Sequence, residues 1–173
     1  MEILRGLFDK NYFPIFLFGA VGRGKSYLAA LMFARWTGRV VMSSYSDFIA
    51  NAFRASKNGE ISYYNATGQL CSFTETGWWE NLRTVGLVII DDIGVGSPHE
   101  MRSEFMLKLL EVRKNRPLVF TGNLTPKELL EHFDSRVQSR IIAGAPVEMG
   151  GDDLRLDGVR TRAVQIRNTG AKP

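Results

Sequence analysis

The sequence is short of the residues that would place it outside a reducing compartment or in a membrane. Cys71 is the single cysteine, so no disulfide can form within the chain, and we expect a cytoplasmic protein. The longest apolar stretches, residues 12–21 and 27–34, are shorter than the roughly 20 residues of a transmembrane helix. The first residues also lack the basic leader and cleavage site of a signal peptide. No membrane partner is therefore expected.

Acidic residues are missing from the end of the chain. None follows Asp157, although the net charge is only +4, and the basic residues beyond it are Arg160, Arg162, Arg167 and Lys172. This basic tail is either a solvated surface or a contact with nucleic acid or bound nucleotide.

The length of 173 residues suits one domain with a real core, and 45% hydrophobic residues are ordinary for a globular protein. We expect a single domain over residues 1–173, with a short lead-in over 1–13 and a strand or hairpin and basic tail over 151–173. Asp157-Gly158 is the predicted turn of that hairpin.

A complete phosphate-binding loop, G-x-x-x-x-G-K-[ST], occupies residues 19–26 and follows the apolar run 15–18. Its glycines let backbone N–H groups surround an anion, while Lys25 reaches the β- and γ-phosphates and the Ser26 hydroxyl ligates Mg²⁺. The loop predicts binding of a nucleoside triphosphate with Mg²⁺. The predicted nucleotide-binding residues are Gly19, Ala20, Val21, Gly22, Arg23, Gly24, Lys25, Ser26 and Tyr27.

Short apolar runs alternate with helical patterns, which is typical of an α/β fold with a parallel sheet. The predicted strands are residues 15–18, 39–42, 87–90, 118–121 and 146–149. The first helix is predicted from about Lys25 to Trp36.

Two further helix starts, at residues 97–100 and 125–128, combine a capping hydroxyl, a proline and a glutamate. In the first of these helices the spacing predicts a core face made of Met101, Phe105, Leu109 and Val112.

Two carboxylates, Asp91 and Asp92, follow the apolar run 87–90. Beside a phosphate loop, the first would hold Mg²⁺ through its water shell and the second would polarise the attacking water. The alternative is a pair that only caps the strand end. Since aspartate is one methylene shorter than the more usual glutamate, we expect slow hydrolysis by the isolated chain.

Asn123 ends the next apolar run and either orients the attacking water, contacts the γ-phosphate or caps the helix that follows. Arg136 and Arg140 lie four residues apart on one predicted helical face. Such arginines either complete the nucleotide site of a neighbouring subunit or form salt bridges within the chain.

Together, the segments GAVGRGKSYLAA, LVIIDDIG, TGNLTPKEL and SRVQSRI resemble, in this order and spacing, the AAA+ ATPases of the DnaC/DnaI helicase-loader and IstB group. The resemblance covers roughly residues 16–160. It implies a three-layer α/β P-loop NTPase with a five-stranded parallel sheet in the order 5-1-4-3-2 and no evident helical lid. It also implies functional roles: Walker A for residues 19–26, Walker B for Asp91 and Asp92, sensor 1 for Asn123, and trans-acting arginine finger for Arg140, with Arg136 as the second candidate.

The partners implied by the resemblance are further copies of the chain, single-stranded DNA and a replicative helicase contacted through a region that these residues do not contain. The helical segment expected over residues 44–82 would touch DNA, because it interleaves aromatic and basic residues. Alternatively, its aromatics anchor the segment to the sheet. The residues concerned are Phe53, Arg54, Lys57, Tyr63, Tyr64, Trp78 and Trp79, and candidates for a second sensor arginine are Arg155 and Arg160.

The leading hypothesis is an ATPase that assembles on single-stranded DNA and delivers or remodels a replicative helicase. The alternatives are an IstB-like transposition helper and a nucleotide-switched adaptor with little hydrolysis. A small-molecule kinase shares the phosphate loop, but the sequence offers no recognisable acceptor pocket or arginine-rich lid.

Overall fold

The computed structural model describes residues 2–64, 68–96 and 100–151. The predicted helix start at 97–99, the hairpin turn at 157–158, both candidate second-sensor arginines and the basic tail lie outside these residues. In chain order, the helices and strands are α1 (Glu2–Asp9), β1 (Ile15–Phe18), α2 (Lys25–Arg35), β2 (Val40–Ser44), α3 (Tyr45–Asn58), β3 (Glu60–Tyr64), β4 (Leu70–Thr74), α4 (Glu75–Thr84), β5 (Leu87–Ile93), α5 (Glu100–Val112), β6 (Leu118–Gly122), α6 (Leu129–His132), α7 (Ser135–Ile142) and β7 (Ala145–Glu148).

Five parallel strands form the main sheet, in the spatial order β2-β5-β6-β1-β7. When these five strands are numbered 1 to 5 in chain order and read from the β7 edge, their order is 5-1-4-3-2. The predicted α/β fold is therefore confirmed. Every apolar run predicted as a strand belongs to this sheet, with small shifts at the ends. β5 extends beyond its predicted end because pairing with β6 resumes at Ile93 after a shift in register.

Helices cover both faces of the sheet, which explains why its strands read as continuous apolar runs. Along β5, Leu87 and Ile89 face α2, whereas Val88 and Ile90 face the cluster built by α3, α4, α5 and α7. These four strand residues have no exposed surface. The centre of the sheet is therefore buried on both faces, whereas the edge strands β2 and β7 are partly exposed.

The core face of α5 differs from the predicted one. Leu109 is buried as expected, but the Met101 side chain is 42% exposed, and Phe105 and Val112 are only half-buried. The helix contacts α3, α4 and α7. Its buried surface consequently spreads over adjoining faces, and the buried residues are Ser103, Met106, Leu107, Leu109 and Leu110.

The segment over residues 44–82 was predicted to be helical, but the antiparallel β3–β4 hairpin separates its two helices. The hairpin could have been found from the period-two alternation of Ile61 and Tyr63 with polar neighbours. Tyr63 stacks on Phe73 of the facing strand, with ring centroids 6.0 Å apart.

Trp78 and Trp79 are buried, and their ring centroids lie 4.7 Å apart. Trp78 also stacks on Phe48 of α3 at 5.8 Å. The tryptophans therefore anchor α4 to α3, and their burial contradicts the predicted DNA contact. The alternative, anchoring of the segment to the sheet, holds for these two residues only in that they join the core, and Phe53 stays 44% exposed.

Arg113 is a fully buried arginine at the end of α5. Its guanidinium donates hydrogen bonds to the carbonyl oxygens of Leu82 at 3.1 Å and Val85 at 2.7 Å, and also to that of Pro117. Burial, with a smaller contribution from the charge of Arg116, lowers the Arg113 pKa to about 10. The side chain ties the end of α4 to the segments that lead into β5 and β6.

Candidate active site

A cavity of about 570 Å³ opens at the carboxyl ends of β1, β5 and β6. Ligands of open α/β sheets bind at this edge, where the loops that follow the strands converge. The lining residues are Val21, Gly22, Arg23, Gly24, Lys25, Ser26, Tyr27, Asp91, Asp92 and Asn123. The fold thus brings together residues that lie 100 positions apart in the sequence, as predicted.

The loop over residues 19–26 joins β1 to α2, as the sequence predicts. Gly22 and Gly24 have φ angles of 84° and 78°, in the left-handed region that favours glycine. Gly24 is also the N-cap of α2 and has no side chain to bond the N–H groups of the first turn. Those N–H groups, and the positive end of the helix dipole, remain available for an anion in the cavity.

Lys25 lies inside this loop, with only 7% of its surface exposed. Its Nζ donates 2.7 Å hydrogen bonds to the carbonyl oxygens of Gly19 and Ala20. The ammonium is therefore fixed at the wall of the cavity by the loop's own backbone. Arg23 adds a second basic group, whose Nη1 is buried without a hydrogen-bond partner in the described part of the chain.

Gly19 is required for a further reason that the sequence does not reveal. Its φ angle is 134°, and a Cβ added there would lie 2.7 Å from the carbonyl oxygen of Met149. The backbone N–H of Met149 donates a 2.7 Å hydrogen bond to Phe18. The phosphate loop consequently begins in direct backbone contact with the end of β7.

Thr121 links the Asp91 carboxylate to the backbone of Asp92, and sequence reasoning missed it. Its hydroxyl donates to Asp91 Oδ1 and accepts a 2.8 Å hydrogen bond from the backbone N–H of Asp92. Asp92 has a φ angle of 61°, which is uncommon for a residue other than glycine. A usable signal was the spacing of Thr121 and Asn123, because residues two apart in an extended segment face the same side.

Asn123 lies at the mouth of the cavity, and its Nδ2 donates to Asp92 Oδ1 at 3.3 Å. The alternative role, a cap for the following helix, belongs to Thr125 and Glu128. Glu128 accepts from the backbone N–H of Thr125 at 2.7 Å, and the Thr125 hydroxyl accepts from Glu128 at 3.3 Å. The predicted capping-box bonds therefore form around a turn, but the helix start predicted at residues 125–128 is wrong, because α6 begins only at Leu129 and its N-cap residue, Glu128, makes no side-chain cap bond.

The donors in the cavity fit Mg²⁺ bound together with a nucleotide. Within residues 2–64, 68–96 and 100–151, no three His, Cys, Asp or Glu side chains gather as a metal cage. Mg²⁺ needs less, because it commonly takes one or two protein oxygens together with substrate phosphates and water. The Ser26 hydroxyl and the Asp91 carboxylate supply such oxygens at one cavity.

The two arginines of α7 have different environments. Arg136 is held by Asp134 at 2.7 Å and Glu104 at 2.8 Å, and these partners raise its pKa. Arg140 meets only Glu111, at 3.5 Å, and its side chain is 46% exposed. Neither arginine lines the cavity of its own chain. The salt-bridge alternative is thus confirmed for Arg136. Arg140 is the less tightly paired of the two, although its side chain is 46% exposed against 59% for Arg136.

No helix in the described part of the chain is long and apolar enough to cross a membrane.

Comparison with known proteins adds close counterparts of this fold. The chromosomal replication initiator protein DnaA of Rhodopseudomonas palustris strain TIE-1 is 29% identical over 157 residues, which cover 89% of this chain and 31% of that protein. A structure of the replication initiator DnaA bound to AMPPCP and single-stranded DNA has a TM-score of 0.69 at 21% identity, and covers 95% of this chain and 50% of that one. A structure of the DnaC helicase loader has a TM-score of 0.65 at 13% identity, and covers 86% of this chain and 89% of that one. The chain spans about a third of the length of the DnaA relative.

The family model described as the bacterial DnaA ATPase domain matches residues 5–148. The expected AAA+ class is therefore confirmed, but the matching family is DnaA and not specifically the helicase-loader and IstB group. By sequence, fold and the geometry of its phosphate loop, this chain belongs to the bacterial DnaA ATPase domain family, a family of AAA+ ATPases of replication initiation.

Proposed function

We propose that this chain binds ATP with Mg²⁺, hydrolyses it slowly, and uses the bound nucleotide to assemble with further copies of itself on single-stranded DNA. The observation that carries the proposal is the single cavity that gathers Lys25, Ser26, Asp91, Asp92 and Asn123. In the comparison structure, a DnaA protein is bound to an ATP analogue and single-stranded DNA.

In this proposal the loop N–H groups and Lys25 hold the phosphates, while Ser26 and Asp91 hold Mg²⁺, which neutralises charge on the phosphates. Asp92 orients the attacking water, with Asn123 beside it. The Asp92 side chain is one methylene shorter than that of glutamate and reaches less far toward a water molecule, which supports slow hydrolysis by the isolated chain. We expect turnover below roughly 10 per second.

Arg140 is the residue proposed to act on a neighbouring subunit. An arginine finger must leave its own chain and reach a γ-phosphate supplied by another site. Arg140 has one long ion pair and an exposed side chain, whereas Arg136 would have to break two short ones. Assembly would then complete the site, so hydrolysis should rise when subunits come together.

The proposed DNA surface is a groove of about 500 Å³ between α3 and α5. Phe53 and Met101 line it with side chains that are 44% and 42% exposed, and Arg54 and Arg102 lie in the same wall. An accessible aromatic ring beside guanidinium groups suits base stacking and phosphate contact. This groove takes the place of Trp78 and Trp79 in the predicted DNA contact.

A second candidate function is the delivery or remodelling of a replicative helicase. It is favoured by the likeness to DnaC, most of whose chain is matched by this fold. An IstB-like role in transposition and a non-hydrolysing adaptor role remain alternatives that the same experiments separate.

The test is release of phosphate from ATP by the purified chain, with and without single-stranded DNA and without any added acceptor. We expect slow release that rises with protein concentration and DNA, and loss of ATP binding in Lys25→Ala. Sedimentation should show larger species with ATP than with ADP. Formation of ADP without free phosphate, and only in the presence of a small-molecule acceptor, would instead indicate a kinase, because the phosphoryl group then goes to the acceptor. Assembly without any ADP formation would indicate an adaptor.

The DNA groove is tested by Phe53→Ala, with Leu70→Ala as the matched control. Leu70 is a comparably exposed apolar residue, 54% accessible, on the β3–β4 hairpin. We expect DNA affinity to fall about tenfold for Phe53→Ala, since stacking contributes roughly 1–3 kcal/mol per base. Equal affinities of both variants for DNA would contradict the assignment of this groove.

A further inference from the structure

Thr121 occupies an unusual place beside the two carboxylates. It lies on β6, is 1% exposed, and contacts both Asp91 and Asp92 through one hydroxyl. The backbone N–H of Asp92 can only donate, so Thr121 Oγ1 must accept there and give its own proton to Asp91 Oδ1. The direction of both hydrogen bonds is therefore fixed by chemistry.

The two bonds restrict Asp91 and Asp92 in different ways. Because Asp91 Oδ1 accepts the hydroxyl proton, this oxygen is directed toward β6, and the Asp91 side chain is fixed at one oxygen where it lines the cavity. The bond to the Asp92 N–H holds a backbone whose φ angle is 61°. Such sparsely populated conformations persist only when neighbouring groups fix them.

We propose that Thr121 is a positioning residue that sets the Asp91 carboxylate toward Mg²⁺ and the Asp92 carboxylate toward the attacking water. The inference rests on the proposed ATP hydrolysis and deepens it. Thr121 touches neither metal nor nucleotide in this proposal. It acts through the two aspartates, as groups that hydrogen-bond metal ligands commonly do.

The test compares Thr121→Val, which removes the hydroxyl and keeps the shape, with Thr121→Ser, which keeps the hydroxyl. For Thr121→Val we expect about a tenfold higher Mg²⁺ concentration at half-maximal hydrolysis and a 10- to 100-fold lower kcat. The affinity for ATP without Mg²⁺ should change by less than about twofold, because the phosphate loop is untouched. Thr121→Ser should restore both parameters to within about threefold.

Thr84→Val is the matched control, because the Thr84 hydroxyl bonds only helix carbonyls at the end of α4. It should leave the Mg²⁺ dependence unchanged. An unchanged Mg²⁺ requirement and kcat in Thr121→Val would overturn the proposal. So would equal losses in Thr121→Ser and Thr121→Val, which would show that the methyl packing matters and the hydroxyl does not.

Failure of the proposed function is recognised separately, in the unmodified chain. If that chain does not hydrolyse ATP, the same variants are compared by the Mg²⁺-dependent increase in ATP affinity. Loss of this increase in Thr121→Val and its return in Thr121→Ser would support the positioning role. Its absence from the unmodified chain, or its persistence in Thr121→Val, would overturn it.

Discussion

Asn123 and Asp92 form a 3.3 Å hydrogen bond from Nδ2 to Oδ1 across the mouth of the cavity. The bond joins the residue after β6 to a carboxylate of β5, so the proposed water-orienting group is held from two strands. Thr121 accepts a hydrogen bond from the backbone N–H of Asp92, and Asn123 donates one to the Asp92 side chain.

Asn123→Ala should therefore lower kcat by about 10- to 100-fold and leave ATP affinity within about twofold, because only the orientation of Asp92 is lost. Single-turnover hydrolysis and a binding titration measure the two effects. Asn58→Ala, at the exposed end of α3, is the control. A parallel loss of affinity and rate would contradict a role confined to hydrolysis.

Arg140→Ala should reduce DNA-stimulated hydrolysis by at least about 100-fold while ATP binding stays nearly intact, because a trans-acting arginine contributes in the transition state. Arg136→Ala serves as the control and should leave DNA-stimulated hydrolysis nearly unchanged, since its exposed ion pairs contribute little. Mixing Arg140→Ala with Asp92→Asn subunits should restore activity at hybrid sites. No recovery on mixing would argue against action between subunits.

Arg113→Met should lower the free energy of unfolding by about 2–4 kcal/mol, because several buried carbonyl groups lose their donor together. Arg113→Lys should recover only part of the lost free energy of unfolding, since one ammonium cannot reproduce the planar guanidinium fork. Urea denaturation measures both variants. A stability within about 0.5 kcal/mol of the parent for Arg113→Met would show that water replaces the donor.

Tyr45 provides a test at alkaline pH. Burial raises its pKa to about 12, with a smaller opposing effect of the Arg102 charge. A phenol with a raised pKa in the folded chain stabilises the fold below its unfolded pKa near 10, and this contribution is lost as pH rises toward 12. Burial also raises the pKa of Tyr63, so absorbance titration should show late phenolates from both residues, and Tyr45→Phe should remove one of them. Complete titration of all tyrosines near pH 10 would contradict this.

Much of the site could be predicted because phosphate binding demands a contiguous pattern. Residues 19–26 carry the loop in a single stretch, and each strand before a functional residue is a buried apolar run. The parallel sheet then brings the strand ends together, which places Asp91 and Asn123 correctly.

Contacts that arise only after folding could not be predicted from the sequence. Thr121 reads as an ordinary strand residue until β5 and β6 pair, and Arg113 reads as a surface charge until α5 packs. In the sequence, Trp78 and Trp79 fitted both stacking on bases and packing in the core. Only their burial in the structure distinguishes these two roles.

The backbone conformation at position 92 explains why an aspartate suits this position. Asp adopts the left-handed region more readily than glutamate, because its short side chain can hydrogen-bond locally. The φ angle of 61° thus favours the shorter carboxylate at this turn. Its limited reach toward a water molecule is then a consequence of the backbone shape.

The contact between Gly19 and Met149 leaves no room for a side chain and includes a hydrogen bond between the neighbouring Phe18 and Met149. A displacement of the phosphate loop at Gly19 would therefore act directly on Met149, because the two backbones are in contact. The residue that follows β7 is in this way a neighbour of the nucleotide cavity through backbone atoms alone, whatever side chain it carries.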